Sequence, residues 1–548
     1  MKKIFSILFL SAAMHCEAQV SVISGLDRTS QSDATSVLQN EFNKKEVTAV
    51  VIGKAMMEIN GTVKIPAGKT LRFDPGCRLT GNGTIEGGII DAGYQQFIFD
   101  TTLTINPQAV NGYFSVKWFG AKGNGSDDQA AIQKSINTCI RNNIRTVFIP
   151  VGRYTISKPL ILRGLGKDNA RNYCTLEVLG ESSFWDSNLG TEINPSFTDG
   201  FAFGIHRGKG CKIRKMKING KFTPPFKNDK MKFYNSSFED FKDGICRDNR
   251  NSPYAAIVID PFTNIPGNEL NAANYYPGLE AYYGTNGNSR QSGSTGTEIE
   301  EININGFVVG ICSSPNGITR NAEITLINKI QFSNCKLAIS GGQDQEKANV
   351  ISNIYCWGGT HTIFGTDLYG GKRMAGNWDI DHVNIAGGVV RFIYNDQHGY
   401  FSTSVNHVYA ESLGSWGMIN SELACEIANC NVDFEYPETA GTQTLITSWG
   451  KNVVYRSCNF RYYGRKNTPL RIAGNATFER CYFSGPVENG KKNESLFVVP
   501  FLKLPVSGMQ LLLVLGSILL LVLIPQIRRL IKSNKGNQRS KQYIILSE

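Results

Sequence analysis

WFGAKGNGSDDQAAIQKSI, residues 118–136, followed by TVFIPVGRYTIS, residues 146–157, is the stretch that decides how this chain folds. Gly120, Gly123 and Gly125 reach backbone angles closed to other residues, so the chain turns sharply after the apolar Val116, Trp118 and Phe119. Asp127 or Asp128 then stands where it can cap a helix. The apolar positions Ile132, Ile136, Cys139 and Ile140 recur at helical spacing and leave Gln133, Lys134 and Asn137 towards solvent. The helix is expected to end near Asn142 and Asn143. Val147 to Ile149 then form a short strand, Pro150 and Gly152 turn it, and Tyr154 to Ile156 form the next. A helix laid over the first coil of a strand stack would close its otherwise open apolar end. Asp127 and Asp128 are therefore read as caps and not as catalysts.

Short strands continue from there to about Val499, at intervals of roughly 20 to 30 residues, the period of stacked solenoid coils. The clearest units lie between Glu323 and Phe483. Each has an apolar strand, such as NVISNIYCW, WDIDHVNIAGG, VNHVYAES or CEIANCNVDFEY, and then a second short one, such as TIFGT, VVRFIYN or TLITSW. One unit cannot bury its own apolar side, and stacking supplies a continuous core. Four cysteines recur in like contexts: SNC at Cys335, ANC at Cys430, RSC at Cys458 and ERC at Cys481. They read as small core residues stacked from coil to coil, with a Cys425–Cys430 disulfide the alternative.

On these residues the chain resembles the pectate-lyase-like, rhamnogalacturonase/epimerase-like superfamily. The resemblance implies an all-β fold, a right-handed parallel β-helix with a short N-terminal capping helix, and an association with polysaccharides. Polygalacturonases of that superfamily carry Asn-Thr-Asp, Asp-Asp, Gly-His-Gly and Arg-Ile-Lys motifs. Here the Asp-Asp is the cap at Asp127 and Asp128, Gly-His-Gly does not occur, and the nearest match to the last is KIRK, Lys212 to Lys215. Those catalytic residues cannot be carried over.

The two ends suggest a topology. Residues 1–18 have the basic, apolar and small-residue parts of a secretory signal, with cleavage expected after Ala18. Residues 506–526 are long and apolar enough for one transmembrane helix, and the basic tail 527–548 follows, so the large domain is expected to face outward. A processed sorting signal is the alternative reading of this end. Between them lie a β-rich leader, 19–112, and a β-helix domain, 113–499, with an insertion at about 223–297. The expected location is the cell envelope, as a single-pass membrane protein facing the periplasm or exterior. The formal charge of +11 divides into +1 for the leader peptide, +5 for the tail and +5 for the outward domain. That excess is too small and too scattered to argue for nucleic acid.

Chemistry is expected where acids follow the second strands of successive units: Asp344, Asp367, Asp396 and Glu422. Coils stack about 4.8 Å apart, so such acids would form a ladder on one face. Two of them could work as acid and base in hydrolysis. Alternatively the ladder could hold Ca²⁺ for β-elimination on a uronate, with no other cofactor required. Asp367, Asp396, His398, Glu422 and Arg391 are the catalytic candidates, and Asp344, Lys372, Arg373 and Tyr400 the substrate-binding ones. In WDID, Asp379 and Asp381 point to the same side of a strand and are the metal candidates. The reading is an exported, membrane-anchored lyase or glycoside hydrolase acting on a uronic-acid-containing polysaccharide. An epimerase and a non-catalytic glycan-binding envelope protein are the alternatives. Monomer and trimer are both open.

Overall fold

The computed structural model describes residues 19–498 apart from 24–32, 54–55, 164–172, 184–189, 207, 227, 238–239, 241–253, 261–293, 314–321, 342–347, 366–375, 400, 436–443, 451, 463–467 and 490–496. The strands Gln19–Ile23, Val47–Ile52, Thr62–Phe73, Thr84–Asp91 and Thr104–Asn106 pair in parallel in that order. A short helix, α1 (Thr35–Asn43), buries Leu38 and Phe42 against them. Sequence reading saw the strands and missed α1, because two apolar residues four apart are a weak helical signal.

From Phe114–Ser115 to Phe497–Val498 the strands join one 27-stranded sheet. Pairing is parallel, and each strand bonds the one lying one coil on, which is one to three strands further along the chain because some strands run through a corner unbroken. That is the wrap of a parallel β-helix. The opening segment behaves as its residues dictate, with one exchange of roles. Helix α2 (Gln129–Asn142) buries Ile132, Ile136 and Cys139, and ends on Asn143 in the left-handed region, φ 57°. Asp128 makes no cap to it. Its carboxylate instead accepts from the backbone N–H groups of Lys122 (2.6 Å) and Gly123 (2.8 Å), pinning the glycine loop. Asp127 serves the helix start, accepting from Gln129 N–H (3.1 Å), and also ties Ser157 N–H (3.2 Å).

One corner of the coil sets the geometry of everything beyond. Lys215, Glu301, Lys329, Asn353, His382, His407, Asn429, Ser457 and Arg480 all have φ between 52° and 57°. Registers run in step on either side of this residue, as in Ser352↔Asp381↔Asn406 and Ile354↔Val383↔Val408. The left-handed residue turns the chain, and the alternation of inward and outward side chains restarts after it. Cys430, Cys458 and Cys481 each follow it and face the core, where hydrogen bonding to Cys430 and burial push the Cys458 thiol up to about 12. Cys335 belongs to another column, aligned with Phe307. Cys425 and Cys430 are both buried thiols, and no disulfide joins them.

The core is built of stacked rings. Trp416 is fully buried, lies 4.2 Å from Phe392 with planes 25° apart, and contacts Tyr455 and Phe460 edge-on. Its indole N–H has no hydrogen-bond partner among the described residues. Trp416→Ala is expected to cost about 3–5 kcal/mol, and Trp416→Phe distinctly less because it removes that stranded N–H as well as volume. Urea unfolding of the two variants checks this; equal costs would mean that the site collapses without leaving a cavity.

Within the expected insertion, Ala255–Ile259 is a coil strand, paired with Phe201–His206 and Glu298–Ser313. Among the described residues no helix is long and apolar enough to cross a membrane. The expected signal 1–18, span 506–526 and tail 527–548 lie outside the described residues.

Candidate functional site

Two outward-facing columns follow the left-handed corner. The first contains Gln331, Tyr355, Asn384, Tyr409, Asn431 and Asn459, aligned coil by coil. The second contains Ser333 and Trp357, then Ala386 and Glu411 just beyond the aligned pair Ile385↔Ala410, then Asp433 and Arg461. Stacking at about 4.8 Å therefore gathers an aromatic platform and two acids that the sequence spreads over several units.

A groove of about 870 Å³ lies on this face. Trp357 and Tyr409, 43% and 45% exposed, stand along it with Tyr355. Gly358, Gly359, Gly387 and Gly388 line its floor. Gly388, at φ 68°, would bring a Cβ to 3.1 Å from the Gly358 Cα, so the coils approach there only without side chains. The opposite wall comes from the insertion. A five-residue helix, α3 (Lys230–Tyr234), is fixed at its start by Asp229, which accepts from Lys232 N–H (3.1 Å).

Tyr234 holds this wall to the solenoid. Its phenol oxygen accepts from Gly388 N–H (2.9 Å), lies 3.0 Å from Ser412 Oγ, and donates to Glu435 (3.2 Å). Burial raises its pKa above the ordinary tyrosine value, so it stays a neutral donor. Glu435 is further engaged by Ser412 and by the Lys230 ammonium. Asp433 is committed as well, to a two-pronged ion pair with Arg461 (2.6 and 3.0 Å). Glu411 differs from both. It is exposed and has no hydrogen bond or ion pair among the described residues, so its carboxyl is available to a ligand.

The residues expected from sequence are distributed elsewhere. Asp344, Asp367, Lys372, Arg373 and Tyr400 lie outside the described residues. Asp396 and His398 fall in Val389–Gly399, where at those two positions the backbone alone is described. Arg391, in the same strand, places its guanidinium 4.4 Å from the Tyr394 ring centroid. Glu422 is exposed at the bend after Phe401–Ser421. Neither Arg391 nor Glu422 lines the groove. Asp379 is exposed on Gly376–Ile385, but it is not the partner of Asp381. The Asp381 carboxylate meets His382 Nδ1 (2.7 Å) and His407 Nδ1 (2.8 Å) instead. Partial desolvation opposes its ionisation, and the two histidine hydrogen bonds outweigh this and lower its pKa.

Glu411, Asp433 and Trp357 were missed because acids were sought after the second strands, whereas the groove lies on the first. Each is one residue per coil, and no local motif marks it. The available signal was the aromatic at like positions two coils apart, Tyr355 in NVISNIYCW and Tyr409 in VNHVYAES, with Trp357 two residues after the first.

Residues 113–175 match the family model described as rhamnogalacturonase A/epimerase, pectate lyase-like, so the resemblance read from the opening segment holds. No curated protein matches the chain. Among solved structures, the catalytic domain of a GH87 α-1,3-glucanase in complex with tetrasaccharides is 12% identical, with a TM-score of 0.35. The likeness covers 67% of this chain and 66% of that domain, just under two thirds of it. The A-module of the Azotobacter vinelandii mannuronan C-5 epimerase AlgE4 is 10% identical, with a TM-score of 0.31 and coverage of 70% and 99%. DFA-IIIase from Arthrobacter chlorophenolicus A6 is 10% identical, with a TM-score of 0.34 and coverage of 69% and 85%. Likenesses this distant do not bear on activity.

Proposed function

We propose that this chain, pectate-lyase-like over residues 113–175, is a polysaccharide-active enzyme that cleaves a glycan lying along the groove beside Trp357 and Tyr409. The observation that carries the reading is Glu411, an unengaged carboxyl one coil from Asp433 and next to exposed aromatic rings. Sugar rings stack on Trp357 and Tyr409, whose faces are apolar and whose edges are polar. Glu411 gives its proton to the glycosidic oxygen as the bond to the anomeric carbon breaks. Asp433, oriented by Arg461, is the second carboxylate, and water supplies the oxygen that the anomeric carbon gains. Tyr234 and Glu435 hold the wall and orient sugar hydroxyls.

The lining also bears on the substrate. Of the three carboxylates in the lining, Asp433 is balanced by Arg461 and Glu435 by Lys230, so Glu411 leaves an excess of one negative charge. Such a surface disfavours a polyuronate and favours a neutral glycan. Hydrolysis of a neutral polymer is therefore put beside the uronate cleavage expected from sequence, and the two are separated by the experiment below. Export and anchoring belong to the same proposal, supported by the leader and span read from sequence.

A second reading rests on the Asp433–Arg461 pair, because an acid so firmly engaged suits a binding surface without turnover. Incubation of the full chain with neutral glucans and with polyuronates, with and without Ca²⁺, tests both. New reducing ends on a neutral glycan are the expected result. Ultraviolet absorbance of an unsaturated uronate in the Ca²⁺ arm would replace hydrolysis by elimination. Binding with neither product would leave the glycan-binding reading.

A further inference from the structure

We infer that Asp381, His382 and His407 form a site for a transition-metal ion of the Zn²⁺ class, clamped across two successive coils outside the groove. His382 and His407 occupy the same left-handed corner of neighbouring coils, at φ 55° and 53°. The pairs on either side, Asp381↔Asn406 and Val383↔Val408, are in register. The two imidazoles are consequently forced into a stack, with centroids 4.8 Å apart and planes 28° apart. Asp381, one residue before the corner, faces both rings, and one ligand atom from each of the three residues lies within 4.8 Å of the others.

The corner itself does not call for histidine. Left-handed positions admit Gly, Asn, Asp and His most readily, and this corner takes Lys, Glu, Asn, Ser or Arg in the other coils, with Asn353 and Asn429 just before and just after the pair. Asn353 donates from this corner to Asn328 Oδ1 (2.9 Å) on the preceding coil, at the register position that Asp381 holds, so a single contact of this kind needs no imidazole. Two imidazoles placed there, with both Nδ1 atoms converging on a single carboxylate, make instead a set of two nitrogens and one oxygen. That is the donor set of a borderline-soft divalent ion. Zinc–nitrogen and zinc–oxygen bonds of about 2.0–2.2 Å at a tetrahedral angle separate the two ligand atoms by about 3.3 Å. The Nδ1–carboxylate distances of 2.7 and 2.8 Å must therefore open by about half an ångström, a small side-chain rotation. The imidazoles are 59% and 52% exposed, so rotation is unhindered and a remaining position stays open to water.

The same chemistry argues against Ca²⁺ at this place. A hard cation takes about six to eight oxygen ligands, and the cluster offers one carboxylate. Zinc at the clamp would take the Nδ1 lone pair of each neutral ring, with the ring proton carried on Nε2, and would add a metal bridge to the His407–Asp381 hydrogen bond and ring stack that already join the two coils there. The inference uses none of the groove residues and stands apart from the glycan reading.

Calorimetric titration of the chelator-treated full chain with Zn²⁺ tests it, with Co²⁺ as the spectroscopic probe of a four-coordinate nitrogen and oxygen site. One equivalent of Zn²⁺ is expected, together with a rise in unfolding temperature. His382→Ala and His407→Ala should each weaken that binding by about tenfold or more, and Asp381→Asn likewise. The metal-free variants should unfold only slightly below the wild type, because alanine at the left-handed corner and the lost Asp381 contacts each cost little at the surface, and Zn²⁺ should raise none of them as it raises the wild type. Absence of Zn²⁺ binding, or binding that survives in both histidine variants, would overturn the assignment. So would Ca²⁺ binding at the same stoichiometry, abolished by Asp381→Asn alone.

Discussion

Glu411→Gln is expected to lower kcat on a cleaved neutral glycan by about a thousandfold while leaving KM within a few fold. The amide keeps the shape of the side chain and removes the proton it transfers. Because Glu411 is exposed and unengaged among the described residues, the substitution leaves the fold untouched, and circular dichroism of the variant should match the parent. Trp357→Ala makes the contrast. It removes a stacking surface but no reacting group, so KM should rise about tenfold at nearly constant kcat. Asp433→Asn should resemble Glu411→Gln in kcat, and it also releases Arg461 from its ion pair. If Glu411→Gln turns over at the parent rate, Glu411 is not the proton donor. If in addition Trp357→Ala is silent, the groove is not the site.

Acid should destabilise the protein well above the carboxylate range. His206 and His361 are fully buried, and desolvation depresses both to about 3, with Arg163 and Arg391 adding to the effect at each. His361 is held neutral by its surroundings: Nδ1 faces Thr362 Oγ1 (2.8 Å) and Nε2 faces the Ser236 carbonyl (3.2 Å), which together suit one uncharged tautomer. An unfolded chain takes up a proton at each histidine near pH 6.5, and the native one does not until about pH 3. Below pH 6.5 the unfolded state binds more protons, so stability falls with falling pH. The slope is about 1.4 kcal/mol per pH unit for each histidine, or about 2 kcal/mol each between pH 6.5 and 5. The depressed acids Asp33, Glu41 and Asp381 contribute in the same direction but lower, near and below their unfolded values. Urea midpoints between pH 7.5 and 5 isolate the histidines. His361→Gln should be less stable at neutral pH and should lose about half of the slope. An unchanged slope would show that His361 protonates normally in the folded chain.

This acid response was not legible in the sequence, because neither histidine sits in a motif. His206 ends a strand that is buried at every position, FAFGIH, and His361 lies in another, THTIFG. Burial on both faces comes from the coil stacking and from the arm at Ser236, far away in the chain. The clamp is similar. Asp381 was legible as an acid on a strand edge, but its partnership with His407 depends on which residue of the next coil lies opposite. Alternation places Asp379 and Asp381 on the same outward side of the strand, and they do lie there, with Trp378 and Ile380 buried between. The left-handed residue at position 382 interrupts the alternation only after Asp381, and so brings the His382 ring, and by register that of His407, to its carboxylate.

By itself the sequence determined the class of fold. Glycines at 120, 123 and 125, an amphipathic run to Asn142 and short apolar strands at coil-length intervals leave little choice, because each unit can bury its apolar side only against a copy of itself. It also indicated core cysteines recurring from coil to coil, whereas the free state of Cys430 and the separate column of Cys335 came only with the structure. Tertiary structure alone decided where Glu411, Asp433, Trp357 and Tyr234 meet. Residues of a solenoid face are one coil apart in space but a whole unit apart in the chain, and unit lengths vary. Their alignment is set by hydrogen-bonded register and by the corner residue, which local sequence does not encode.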